Sequence, residues 1–319
     1  TQGYSSAASD VYKRQIIGSG PAGLSAAVYA KRAKLDVVVI EKAGYSGGQI
    51  VSTEQVDNYL GLPETDGFTL GSKFREHADM LETEFIDAEV TKIEEITDTE
   101  GKKAYRIILN AGESVETKTI IAATGASHRK LGAAGEEELT GTGVSYCATC
   151  DGAFFKKKVT AVVGGGDVAL EDAIYLSALC EKVYLIHRRD EFRAAVNIQQ
   201  KVKETPNIEI LPFYEIKEIK GDNKVSSIKL VQNKTGEEKE LEVSGVFVAV
   251  GMKPVTDIFK DYVELDKTGY IKAGEDCKTS SEGIFAAGDI RTKPLRQVVT
   301  AVADGATAVQ SVERYLNGR

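Results

Sequence analysis

Apolar residues in this chain gather into short, nearly unbroken runs that close on glycine or charge. "LDVVVIEK" (35–42), "TIIAATGA" (119–126), "KVTAVVGGG" (158–166), "KVYLIHRRDEF" (182–192), "GVFVAVGM" (245–252) and "GIFAAGDI" (283–290) are of this kind. Such β-branched runs lack polar alternation, which predicts strands covered on both faces, as in parallel sheets. After two of the glycine clusters the period changes. "LSAAVYAKRA" and "DVALEDAIYLSAL" predict helices, and "RQVVTAVADGATAVQSVERYL" predicts an apolar-periodic helix starting near Arg296. Strand, glycine turn, helix and strand in repetition predict an α/β fold.

The first repeat carries a dinucleotide fingerprint in context. "GSGPAG" spans Gly18 to Gly23, the helix follows, and the next strand ends at Glu41. The glycines let the backbone approach a pyrophosphate, whose charge rests on the helix N-terminus. Glu41 stands where a carboxylate can accept hydrogen bonds from a ribose. The second repeat has Gly164, Gly165 and Gly166 at its turn, and Gly164 lies 146 residues after Gly18. His187 stands at the same offset from Glu41, followed by Arg188 and Arg189. A carboxylate suits a free 2′-hydroxyl, whereas a guanidinium pair suits a 2′-phosphate. The first unit is therefore expected to hold an adenine dinucleotide without that phosphate and the second NADPH, with Arg193 as a third cation. Alternatively, "HRRDEFR" is a solvated charge run.

Two such units suggest a flavoprotein passing electrons from NADPH to FAD. The runs ending near Ala126 and Met252 bracket the second unit. The expected architecture is two Rossmann-like dinucleotide-binding domains: an FAD domain from 1–126 and 252–319, and an NADPH domain inserted at 127–251. The two crossings make a hinge plausible. The helix after Arg296 could aim its N-terminal half-charge at the flavin and stabilise the reduced anion.

Bulk properties narrow the picture. The chain has 319 residues, 42% hydrophobic and 28% charged, with a net charge of −8 and a pI near 5.2. That balance speaks against nucleic acid or an anionic membrane as the main partner. No uncharged apolar stretch reaches the roughly 18 residues of a membrane span, nor does a signal-peptide pattern open the chain. A cytoplasmic globular protein is expected. The start is unusual: "DVYKRQIIG" places Lys13, Arg14 and Gln15 where a buried strand should lead into Gly18. Thr1 to Gln15 reads as a foreign junction or misread start replacing part of the strand, or else as a polar lead-in to a short one.

"SYCATCDG" (Ser145–Gly152) places two cysteines two residues apart between the halves of this pattern. A zinc site needs four ligands, yet Cys180 and Cys277 are isolated and His77, His128 and His187 are scattered, so no metal is expected. A structural staple closing so small a ring contributes only about 2 kcal/mol before strain. A redox pair fits better, one thiolate attacking and the other resolving. Asp151 is either a proton shuttle or a turn residue before Gly152.

From Ile16 to the C-terminus the chain resembles the low-molecular-weight, prokaryotic-type thioredoxin reductases of the pyridine nucleotide-disulfide oxidoreductase family. The resemblance rests on "GSGPAG", "GGQ", "CATCDG", "GGGDVALEDA", "HRRDEFRA", "FAAGDI" and "LRQVVTA", in family order. It implies that FAD contacts the first turn (Gly18, Ser19, Gly20, Pro21, Ala22 and Gly23), Glu41 with Lys42, and Gly47, Gly48 and Gln49. Asn58, Thr124, Gly125, Asp289, Arg296, Gln297 and Val298 complete that implied set. It implies NADPH along Gly164 to Asp167, with His187 beside it and the 2′-phosphate on Arg188, Arg189 and Arg193. Cys150 would be the flavin-side sulfur, Cys147 the one attacking the substrate, and Asp151 the acid–base residue. The implied activity is reduction of oxidised thioredoxin by NADPH through FAD and the Cys147–Cys150 disulfide, in a homodimer. Because the nicotinamide site and the cysteines share the inserted domain, rotation about the crossings would present them in turn.

One departure is Val255 in "GMKPVTD", where the family often has asparagine. The competing readings are a relative with another electron partner, such as a ferredoxin-dependent thioredoxin reductase or a dithiol oxidase, and a non-enzymatic flavin redox sensor.

Overall fold

A computed structural model describes residues 14–53 and 56–318, without the side chain of Ser52. Most of the unusual leader, Thr1 to Lys13, lies outside the described residues. The chain forms two compact units. Among the described residues, those within Thr1–Val51, Phe68–Ala126 and Pro254–Arg319 make up one, and those within Ser52–Gly67 and Ser127–Lys253 the other. The second unit's main segment thus lies between two parts of the first.

Each unit is built on a five-stranded parallel sheet. In the first, the order is Ile284–Ala286, Ile120–Ala122, Arg14–Ile17, Val37–Glu41 and Glu84–Asp87. In the second it is Ile208–Pro212, Lys182–His187, Val159–Gly164, Gly245–Ala249 and Val144–Ser145. The predicted apolar runs are these strands, and their burial explains the missing alternation. A helix follows the central strand in both units, Pro21–Arg32 in one and Asp167–Ser177 in the other. Each unit also carries a three-stranded antiparallel meander, Val90–Thr97 to Ser114–Thr117 and Tyr214–Lys220 to Glu238–Glu242. Glu41 and His187 each end the strand beside their central strand.

The C-terminal helix, Val298–Leu316, begins two residues later than the pattern predicts, because Gln297 and Thr300 form a capping box. It packs on the first helix at Gly305, where a Cβ would lie 2.8 Å from the Ala26 nitrogen and collide with the Ala22 carbonyl. Deeper in this unit sits a charge cluster that the sequence pattern does not foretell. Arg291 grips Asp304 with two bonds of 2.7 and 2.8 Å, and Lys293 adds a third at 2.8 Å. The Gly288 amide donates to the same carboxylate at 2.9 Å. Burial alone would raise the Asp304 carboxyl, but these hydrogen bonds and cations hold it below its ordinary value. Beside it, burial pushes the Cys277 thiol up to about 12, which leaves that cysteine inert as a nucleophile.

The central strand of the first sheet retains the polarity noted in the sequence. It is four residues long, and Gln15 within it is 0% exposed. Neither its amide oxygen nor its nitrogen finds a partner among the described residues. An unpaired buried amide costs roughly 1–3 kcal/mol. Gln15→Leu, of similar size, is therefore expected to raise stability by about that amount, read as a higher urea midpoint at unchanged slope. An unchanged or lower midpoint would mean that the amide is satisfied.

Candidate redox and dinucleotide sites

In the first unit the glycine turn opens at Gly18, whose φ of +104° suits only glycine and where a Cβ would lie 2.8 Å from the Ala123 carbonyl carbon. Glu41 is already tied to this turn. Its carboxylate accepts the Ser19 amide at 2.7 Å, the Ser19 hydroxyl at 2.8 Å and the Ala43 amide at 2.9 Å. The acid expected for a ribose thus also holds the turn's shape. Gly47 donates to the Ser19 carbonyl at 2.9 Å, and Gly48 has φ +61° with its side-chain position 3.2 Å from the Gly20 Cα. The "GGQ" and "GSGPAG" segments therefore form one glycine-lined cradle. The Gln49 side-chain amide donates to the Ala126 carbonyl.

Thr124 and Gly125 bind the backbone of Val255: the Thr124 hydroxyl donates to its carbonyl at 2.7 Å, and its amide donates to Gly125 at 3.0 Å. Because only backbone is used, the departure at Val255 leaves this link intact. Asp289 follows the buried Gly288, and burial pushes its carboxyl up. Its Oδ1 is buried and finds no partner among the described residues. A buried acceptor of this kind suits a hydroxyl from a bound ligand. Arg296 stacks over Tyr270 at 4.0 Å. Lys42 is exposed and pairs loosely with Glu89 at 4.0 Å. Asn58 falls in the 52–67 segment, which is grouped with the other unit.

The second turn has its own construction. A Cβ at Gly165 would run into the His187 imidazole, whereas at Gly166 it would meet nothing within 4 Å. His187 itself stacks on Phe192 at 5.1 Å. The Arg193 amide donates to the Gly165 carbonyl at 2.7 Å, and the Ala195 amide to Asp167 Oδ1 at 2.8 Å. These bonds anchor the arginine loop to the glycine turn. Arg188, Arg189 and Arg193 are exposed and form no ion pair among the described residues. Exposed guanidiniums of this kind are chemically suited to a phosphate dianion, and the space beside Gly166 is open.

Cys147 and Cys150 are joined as a disulfide. Cys147 is the N-cap of the single-turn helix Ala148–Asp151 and Cys150 lies within it; the helix's buried Ala148 packs with the core under the helix Asp167–Ser177. Ser145 ends the edge strand just before them. Its hydroxyl donates to Asp151 Oδ2 at 2.6 Å and accepts the Cys147 amide at 3.0 Å. The Asp151 amide returns to the Cys147 carbonyl at 3.1 Å. Tyr146 between them donates to Glu136 at 2.9 Å and stacks on His128 at 4.8 Å. Burial, with Glu136 adding to it, pushes the Tyr146 phenol to about 12. Glu136 is 1% exposed and also accepts the Leu131 and Gly132 amides. Sequence patterning missed Ser145 and Glu136; the only trace of Ser145 is one hydroxyl at the end of a short strand.

A family model for pyridine nucleotide-disulphide oxidoreductases matches residues 12–305. The chain belongs to that family. Within it, this oxidoreductase is 43% identical over 307 residues to a thioredoxin reductase of Bacillus subtilis, covering 96% of this chain and 95% of that one. It is 45% identical over 314 residues to the thioredoxin reductase of Peptoclostridium acidaminophilum, covering 96% and 98%. The crystal structure of thioredoxin reductase from Streptococcus pyogenes superposes with a TM-score of 0.88 at 43% identity, covering 97% and 99% of the two chains. The Giardia duodenalis enzyme gives 0.86 at 36% identity, covering 96% and 98%. Among the described residues of this pyridine nucleotide-disulphide oxidoreductase, no helix is long and apolar enough to cross a membrane.

Proposed function

We infer that this oxidoreductase reduces oxidised thioredoxin with electrons from NADPH, through FAD and the Cys147–Cys150 pair. The observation that carries the reading is the redox disulfide hydrogen-bonded into a Ser145–Asp151 frame, in a chain about 43% identical to enzymes of that name. FAD would be held by the Gly18–Gly23 turn with Glu41, by Gly47 and Gly48, and by the buried acceptor of Asp289. NADPH would be held by Gly164–Asp167 and the three arginines. When bound, FAD supplies a two-electron carrier between the nicotinamide and the cysteine disulfide.

The remaining chemistry belongs to the chain's own side chains. Once the pair is reduced, the Cys147 thiolate attacks one sulfur of the substrate disulfide and the other sulfur leaves as a thiolate. The Cys150 thiolate then attacks Cys147 in the mixed disulfide, releasing the second substrate thiolate and restoring the internal bond. Two electrons pass from the two cysteines to the substrate, and the two cysteine protons end on its sulfurs. Asp151, bonded through Ser145 to the backbone amide of Cys147 and next to Cys150 in the chain, is the group that would supply the proton a departing thiolate needs. The second glycine turn and the cysteine pair share one unit, so rotation about the crossings at 126–127 and 253–254 forms part of this reading. So do a homodimer and a cytoplasmic setting, both resting on family resemblance.

Anaerobic titration of the yellow protein tests the relay. NADPH should bleach the flavin band, and oxidised thioredoxin should then restore it; no recovery of colour would sink the assignment of thioredoxin. Bleaching by dithionite alone would favour the flavin-sensor reading.

A further inference from the structure

We propose that Ser145 is a positioning residue for disulfide exchange, holding the Asp151 carboxylate in register with the backbone of Cys147; this rests on the function inferred above. Three bonds close a ring. The Cys147 amide donates to Ser145 Oγ at 3.0 Å, Ser145 Oγ donates to Asp151 Oδ2 at 2.6 Å, and the Asp151 amide donates to the Cys147 carbonyl at 3.1 Å. The hydroxyl has one proton and two candidate acceptors. The Cys147 carbonyl stands at 3.3 Å, so the carboxylate takes the proton: it is nearer and, when charged, the stronger acceptor.

The ring matters because Asp151 sits in a single-turn helix of four residues, Ala148–Asp151. A helix that short has no stable geometry of its own. Ser145, in contrast, belongs to a parallel strand pair with Val246–Phe247 and is 5% exposed. The ring therefore ties this short turn, on which proton movement depends, to the sheet. Ser145 touches no reacting sulfur in this arrangement; it acts through Asp151.

The chemical consequence concerns the proton. Each exchange step expels a thiolate, and the proton it needs must arrive from a group held nearby. A hydroxyl donating to the carboxylate favours its charged form and so its readiness to release that proton. Without the hydroxyl, the carboxylate loses this link to the sheet and holds its proton to higher pH.

The test compares Ser145→Ala, Ser145→Thr and Asp151→Asn, with the double variant Ser145→Ala/Asp151→Asn. Two readouts are used: NADPH-driven thioredoxin reduction against pH, and single-turnover exchange of dithiothreitol-reduced protein with the aromatic disulfide DTNB. Ser145→Ala should lose about tenfold or more in kcat with KM changed less than about twofold, as for a hydrogen bond to a charged group. Its rate-against-pH inflection should move upward, and the same loss should appear in the DTNB reaction. Ser145→Thr keeps the hydroxyl and should restore the inflection. The double variant should be no slower than Asp151→Asn alone, because the serine acts only through that carboxylate. A pH profile superimposable on the parent, or losses that simply multiply in the double variant, would overturn the proposal. A Ser145 effect on DTNB exchange in a protein that never turns over thioredoxin would instead refute the substrate and leave Ser145 in place.

Discussion

Cys150→Ser is expected to lower NADPH-driven thioredoxin reduction by at least about a thousandfold, the scale of losing a covalent participant. The reason lies in the order of the sulfurs. With Cys150 gone, the 147–150 disulfide cannot form, so no acceptor remains for the electrons that NADPH delivers to the flavin. Cys147 can still be reduced externally and can still attack a substrate disulfide, but nothing resolves the adduct. Mass spectrometry of the thiol-treated variant mixed with oxidised thioredoxin should therefore find a trapped mixed disulfide. Flavin bleaching by NADPH should survive, because the glycine cradles lie elsewhere in the chain. Residual turnover above about a hundredth of the parent would show that electrons leave by a route without the pair.

Removing the arginine pair should have the next largest effect, and on one coenzyme only. Arg188 and Arg189 are exposed and unpaired among the described residues, so each is available to clasp a phosphate. A charge-assisted hydrogen bond contributes roughly 1.5–3 kcal/mol, and solvent exposure places these at the lower end. Arg188→Ala/Arg189→Ala should raise KM for NADPH about a hundredfold with kcat little changed. The efficiency with NADH should stay within about twofold, because that coenzyme lacks the phosphate. The loop itself should keep its place, being held by backbone bonds from Arg193 and Ala195 to the glycine turn. An equal loss with both coenzymes would turn the arginines into structural residues. Raising salt should weaken NADPH binding in the parent more than in the double variant.

What the sequence made legible were the features that chain neighbours dictate. Glycines 18 and 164 are required by backbone geometry within a few residues, and the strand runs are required by burial on both faces. The 146-residue offset between Glu41 and His187 identified the ends of two equivalent strands because each lies a fixed distance from its turn. Cys147 and Cys150 announced themselves by spacing. Less legible were the interactions formed by distant or weakly patterned residues. Asp304 sits mid-helix in a small-residue stretch, and only folding reveals Arg291 and Lys293 around it. Ser145 and Glu136 carry no periodic signal, since their partners are set by a strand end and a loop. Glu41 was read as an acid awaiting a ribose, while its bonds to Ser19 and Ala43 add a second role. Gln15 was legible as an anomaly, and the fold shows where it falls: in the middle of a sheet, without a partner for its amide among the described residues.

The contact between Gly165 and His187 also constrains how this chain can diverge. An imidazole occupies the place where any side chain at 165 would begin, so the two positions are epistatic. A lineage that shrinks residue 187 first opens a path to alanine or serine at 165; the reverse order passes through a clash at the mouth of the second glycine turn. Substitutions at these sites should accordingly accumulate in one historical sequence, with the histidine changing before the glycine.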